Sequence, residues 1–130
     1  MSLSAIDRLE IYELLAIHGH IADDRRPEQL DEFLTPDAVY DITDYHLGVV
    51  RGLPALRDLF TARPGEQPVG HHVTNIVVLG HDDATAHVRS KGLAVMADGR
   101  AGTVTYEDTV TRTAAGWRVS HRKVIAPRSD

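Results

Sequence analysis

Residues 71–125, HHVTNIVVLGHDDATAHVRSKGLAVMADGRAGTVTYEDTVTRTAAGWRVSHRKVI, decide the architecture. Apolar and β-branched residues dominate 73–79, 85–96, 103–112 and 117–125, with alternation inside each run. Between the runs stand Gly80-His81-Asp82-Asp83, Asp98-Gly99-Arg100 and Ala114-Ala115-Gly116. Alternation is the signature of a half-buried strand, and short Gly- and Asp-rich segments supply the backbone conformations of tight hairpin turns. Four long strands so joined predict an antiparallel meander.

Upstream the period changes. Leu3, Ile6, Leu9, Tyr12, Leu14, Leu15, Ile17 and Ile21 recur at helical spacing, and Ser4 or Ser2 stands ready to cap the helix ahead of Asp7. After the Asp23-Asp24 junction, Pro27 is placed to start a short second helix with Leu30, Phe33 and Leu34 on its apolar side, ended by Pro36. Residues 38–42 then read as a strand, with 48–52 as its hairpin partner. Leu53, Leu56, Leu59 and Phe60 mark a third helix, closed by Pro64-Gly65. Helices gathered early and strands late predict an α+β fold: a strongly curved, mostly antiparallel sheet wraps the N-terminal helices and encloses a pocket. The 130 residues read as one domain, with 1–4 and 127–130 as loose ends.

Composition narrows the function. A net charge of −5 with scattered Lys and Arg argues against nucleic acid as a partner, because phosphate neutralisation needs clustered positive charge. No run of about 20 apolar residues suits a bilayer. Met1 to Ala5 lacks the basic start of a secretory leader, and the chain has no cysteine, so a cytoplasmic protein is expected. The eight histidines do not take metal-ligand spacings: His18 and His20 diverge on a helix, and His71 and His72 diverge on a strand. Neither a phosphate-cradling Gly-rich loop nor a Gly-x-Ser-x-Gly elbow occurs. Chemistry without cofactor or metal is expected.

Several spaced features carry a family resemblance: Asp23 seven residues before Leu30, Asp37-Ala38-Val39-Tyr40, Gly52 ahead of a helix, His71-His72-Val73-Thr74-Asn75, and Tyr106 through Gly116-Trp117-Arg118. In this order the chain resembles the nuclear transport factor two-like superfamily, in particular its SnoaL-like branch, which includes scytalone dehydratase and lindane dehydrochlorinase. The resemblance implies a cone-shaped α+β fold and a catalytic dyad, with an aspartate at the end of the first helix orienting a histidine base at the start of the third sheet strand. Carried over, these are Asp23 and His71, with Asp24 and His72 as adjacent alternatives, of which strand alternation admits one histidine to the pocket. A neutral imidazole, with an ordinary pKa of about 6.5, can take a proton near neutrality, and a carboxylate on its other nitrogen fixes the tautomer. The plainer alternative is that His71 only starts a strand and Asp23 or Asp24 caps the segment at Pro27.

The same resemblance puts Tyr40 and Tyr106 on the pocket wall, places His18 where relatives carry a tyrosine or lysine, and makes His18 a second acid–base group. Arg112 matches an arginine used near the substrate. Of His121 and Arg122, alternation admits at most one, and Asn75 shares the face of His71 if the strand is regular. The implied function is a cofactor-independent lyase or isomerase, of dehydratase, double-bond isomerase or polyketide cyclase type, acting on a small apolar cyclic molecule. The alternative is a non-catalytic binding or assembly module. A homodimer or homotrimer is expected through an outer sheet face carrying Val88, Ala94, Val104 and Val110.

Overall fold

Helix α1 (Ala5–Asp23) begins in a capping box: the Ser4 hydroxyl accepts from the Asp7 N–H, and the Asp7 carboxylate accepts from the Ser4 N–H. Its inward stripe of Ile11, Leu14, Leu15, Gly19 and Ile21 is buried. The structure, a computed structural model, describes residues 3–62 and 65–129. Leu3 is buried in the core and Ser4 caps the helix, so the described part of this end is packed rather than loose. Among these residues no helix is long and apolar enough to cross a membrane.

The expected second helix is a six-residue 3-10 turn, Pro27–Glu32, that sinks Leu30 into the core. Strand β1 follows at once as Leu34–Asp41, four residues before the expected start. Pro36 lies inside it, and the register of β1 slips between Leu34 and Val39, as expected where a residue without an N–H interrupts the ladder. A single 3-10 turn, Thr43–Tyr45, leads to the short β2 (Val49–Arg51). Gly52 then turns the chain at φ +86°, a conformation that favours glycine, into helix α2 (Leu53–Thr61). The expected stop at Pro64 lies outside the described residues.

The meander is β3 (Gly70–His81), β4 (Thr85–Val95), β5 (Ala101–Thr113) and β6 (Gly116–Ile125). It joins the first hairpin through a parallel β1–β6 pairing, which makes a mixed, open, six-stranded sheet of order β2-β1-β6-β5-β4-β3. Helix α1 packs across the concave face, chiefly against β3. The core between them holds Ile11, Leu15, Leu30, Phe33, Leu56 and Val119 together with Val88 and Val110. The last two are therefore not available to an outer interface. Their strand parity is that of Asp108, on the concave side.

Register irregularities in two strands matter for the site. Strand β3 slips register between Thr74 and Val77 and again between Val78 and Gly80, with Asn75 at φ +55°. In β6, Val119 pairs with Val110 while His121 pairs with Thr109. Ser120 is thus the extra residue of a bulge, and the inward parity changes beyond it.

Candidate active site

A cavity of about 540 Å³ lies between α1, α2 and the concave face of the sheet. Its position depends on one close approach. A Cβ on Gly19 would run into the His71 carbonyl oxygen and lie 3.3 Å from its carbonyl carbon. Only a residue without a side chain lets α1 meet the start of β3 at this distance. The approach brings Asp23, the last residue of α1, onto His71.

Both Asp23 carboxylate oxygens accept from the His71 backbone N–H, at 3.0 and 3.1 Å, and Oδ1 lies 2.7 Å from the ring nitrogen Nδ1. The two side chains are 27% and 18% exposed. An ionised carboxylate only accepts, so toward an ionised Asp23 the His71 Nδ1 is the donor, and in the neutral imidazole the lone pair then falls on Nε2. His71 lines the cavity. The arrangement can hold an imidazole in a fixed tautomer with its basic nitrogen free to abstract a proton.

Aromatic rings close around it. His18 has its ring centroid 5.2 Å from Phe33, 5.8 Å from Phe60, 6.1 Å from Tyr106 and 6.3 Å from His71. Tyr40, 4% exposed, meets Phe60 nearly edge-on at 6.1 Å. Tyr106 crosses β4 at Gly92, where a Cβ would stand 2.6 Å from its Cε2. All three of these predicted residues line the cavity.

Other predicted residues lie elsewhere. Asp24 is the exposed C-cap of α1. Asn75 is exposed because the bulge and its left-handed backbone break the alternation that would have carried it to the His71 face. Arg112 shares the parity of Tyr106 but stands six residues further along β5, about 20 Å at the usual rise per residue. There its guanidinium lies 4.4 Å from the centre of the Trp117 ring and donates to Asp7 at 3.1 Å. Asp7 also accepts from the Trp117 indole N–H, and the Arg112 and Ser4 hydrogen bonds hold its carboxyl well below the ordinary range. His121 is exposed, bordering a second pocket with His87 and Lys123, because the Ser120 bulge turns Arg122 inward instead. His72 is exposed and yet borders the cavity together with His71, contrary to the expectation of one histidine only. Its ring lies back over Gly70 at the start of the strand.

The residue that sequence reasoning left open is Arg122. It is 1% exposed and forms a bidentate pair with the 3% exposed Asp108, Nε and Nη2 each donating over 2.8 Å. Its guanidinium carbon stacks 3.8 Å from the Tyr106 ring centre and 5.0 Å from that of Phe33. Burial opposes its charge, but the adjacent Asp108 carboxylate outweighs burial and holds the guanidinium firmly protonated, above its ordinary range. Among the described residues no three His, Asp or Glu side chains converge to hold a metal ion.

Residues 4–123 match the SnoaL-like domain. An uncharacterised protein of Mycobacterium tuberculosis is 33% identical over 123 residues, covering 89% of this chain and 82% of its own. Among solved structures, a proposed aromatic ring hydroxylase of Novosphingobium aromaticivorans is 28% identical with a TM-score of 0.78, over 98% of this chain and 94% of its own. A proposed scytalone dehydratase of the same bacterium, 19% identical, shares the fold with a TM-score of 0.76 over 96% of each chain. With the domain match spanning nearly the whole sequence and the helix-then-sheet cone seen in these neighbours, the chain belongs to the SnoaL-like family.

Proposed function

We propose that the protein is a cofactor-independent lyase or isomerase in which His71, oriented by Asp23, is the general base. The observation that carries this reading is the 2.7 Å contact between Asp23 Oδ1 and His71 Nδ1 on the wall of a largely apolar cavity. His71 Nε2 takes a proton from a carbon beside a carbonyl, and the electron pair of that C–H bond passes into the carbonyl system. For dehydration, a new C=C bond forms as the neighbouring C–O bond breaks, and the departing hydroxide takes a proton from Tyr40 or His18 to leave as water. For double-bond migration, the same proton is returned at a different carbon. A positioned base of this kind typically contributes about 10²–10⁴-fold.

The aromatic wall of Phe60, Tyr40, Tyr106 and His18 suits a flat cyclic molecule. A purely structural dock gives no reason to hold an imidazole in the Nδ1–H tautomer against a cavity. The test is turnover of a panel of hydroxylated cyclic ketones and unsaturated ketosteroids by wild type, His71→Ala and Asp23→Asn. Both variants are expected to fall at least about 10²-fold, and equal rates in all three proteins refute the dyad.

A further inference from the structure

The outer face of the sheet is not the apolar surface expected from the sequence. Val88 and Val110 belong to the core, and Ala94 and Val104 line the cavity. What the outer face carries instead is a row of charge. The register pairs Val77 with Arg89, Arg89 with Glu107, Glu107 with Lys123, Lys123 with Asp41 and Asp41 with Val49. Residues directly opposite on neighbouring strands share a face. Their chain neighbours Val88, Asp108, Arg122 and Tyr40 are buried on the concave side, so the six stand in one line across the outer face. It reads apolar, positive, negative, positive, negative, apolar. Arg89, Glu107 and Lys123 are exposed, and the terminal Val77 and Val49 are 53% and 44% accessible.

Two properties of this row identify what fits it. With two charges of each sign, it has no net attraction for a polyanion, an anionic bilayer or a uniformly acidic protein. It is also antisymmetric about its midpoint: reversed end for end, every charge meets its opposite and valine meets valine. A twofold axis parallel to the strands, passing between β5 and β6, reverses a second copy in this way. Arg89 then faces Asp41 of the other copy and Glu107 faces Lys123, each pair occurring twice. An axis running through β5 would set Glu107 against itself, and one lying along the row would set every charge against its own duplicate. Two sheets related by the strand-parallel axis pack with their strands aligned, the usual arrangement of face-to-face sheets. The four long strands, each of ten to thirteen residues, offer roughly 700 Å² at about 4.8 Å between strands and about 3.3 Å per residue. That is close to the roughly 800 Å² that a stable interface buries on each partner.

We infer that the outer sheet face docks a second copy of this chain about that axis, through the row Arg89, Glu107, Lys123 and Asp41. The contact is isologous: the same patch serves both copies. It draws on none of the chemistry proposed for the cavity.

The experiment is sedimentation velocity of the whole chain over a range of concentrations, with charge-reversal variants at the two central positions. Wild type is expected to form a dimer whose Kd weakens at least about tenfold between low salt and about 1 M salt, where the screening length is about 3 Å. Glu107→Lys alone and Lys123→Glu alone each set like charges face to face at the middle of the row, and each should self-associate at least about tenfold more weakly. Mixed in equal amounts, the two single variants are complementary at all four charged positions and should pair with each other, which an affinity tag on one of them detects. The double variant, carrying both changes, is again antisymmetric and should dimerise as wild type does. A wild type that stays monomeric, a dimer indifferent to salt and to both single changes, or a mixture of the two single variants that fails to pair overturns the inference. All of these substitutions are at exposed positions, and no outcome depends on turnover.

Discussion

Replacing Gly19 with alanine reverses the usual sign of that exchange within a helix. In an unobstructed helix interior, alanine is favoured over glycine by about 1 kcal/mol. Here the new methyl would overlap the His71 carbonyl oxygen, and overpacking of this sort costs roughly 1–3 kcal/mol. The net expectation is a protein destabilised by up to about 2 kcal/mol instead of stabilised by about 1. The end of α1 must also withdraw from β3 by on the order of 1 Å to restore ordinary contact distance. That withdrawal stretches the 2.7 Å Asp23–His71 contact beyond the roughly 3.2 Å limit of a good hydrogen bond. Urea unfolding measures the first effect, and the ¹⁵N shifts of the imidazole measure the second. Wild type is expected in the Nδ1–H tautomer and Gly19→Ala in the commoner Nε2–H form, with turnover down about 10²-fold. A variant stabilised by about 1 kcal/mol, with the His71 tautomer unchanged, would show that the helix–strand approach does not set the contact.

Three further outcomes are expected. Gly92→Ala brings a methyl within 2.6 Å of Tyr106 Cε2 and should cost roughly 1–3 kcal/mol in urea melts, whereas Gly80→Ala, with nothing within 4 Å of the new methyl, should stay within about 0.5 kcal/mol of wild type. Arg122→Met should lose about 3–5 kcal/mol by stranding a buried Asp108, and adding Asp108→Leu should recover most of it; additive losses in the double variant would contradict the pairing. The Asp7 carboxyl titrates below its ordinary value in the folded protein because of Arg112 and Ser4, so its stabilisation is present above an unfolded pKa of about 3.9 and fades as the pH falls toward the folded value. The gap in melting temperature between wild type and Asp7→Asn should therefore be widest near neutrality and shrink below about pH 4, and a gap that grows with acid would refute it.

The strands were legible because period-two alternation survives even where ends shift by a few residues, as in β3, which starts at Gly70 rather than at residue 73. The candidate dyad was legible through resemblance: nothing local to Asp23 announces that it meets a strand 48 residues away. What alternation missed has one cause, repeated. Counting inward positions from Trp117 through Val119 puts His121 inside, but the bulge at Ser120 shifts the count and delivers Arg122. Asn75 was lost to the same kind of slip in β3, where the only hint in the sequence is that asparagine tolerates positive φ better than most residues. Arg112 failed differently: its parity was right and its position along the strand was wrong, which only the docking of the α1 start against Trp117 reveals.

The slips that remove Asn75 from the cavity also bear on how copies of this protein meet one another. Strand β3 is an outer edge of the open sheet, and its exposed Val77 and Leu79 are 53% and 63% accessible. A long, flat, apolar edge is a template on which a second chain adds strand upon strand toward fibrils. Two register breaks within twelve residues leave that edge no long regular ladder to copy, since each bulge bends the strand and interrupts its row of donors and acceptors. A variant that straightened β3 to carry residue 75 to the cavity face would lengthen the regular edge and tend toward aggregation.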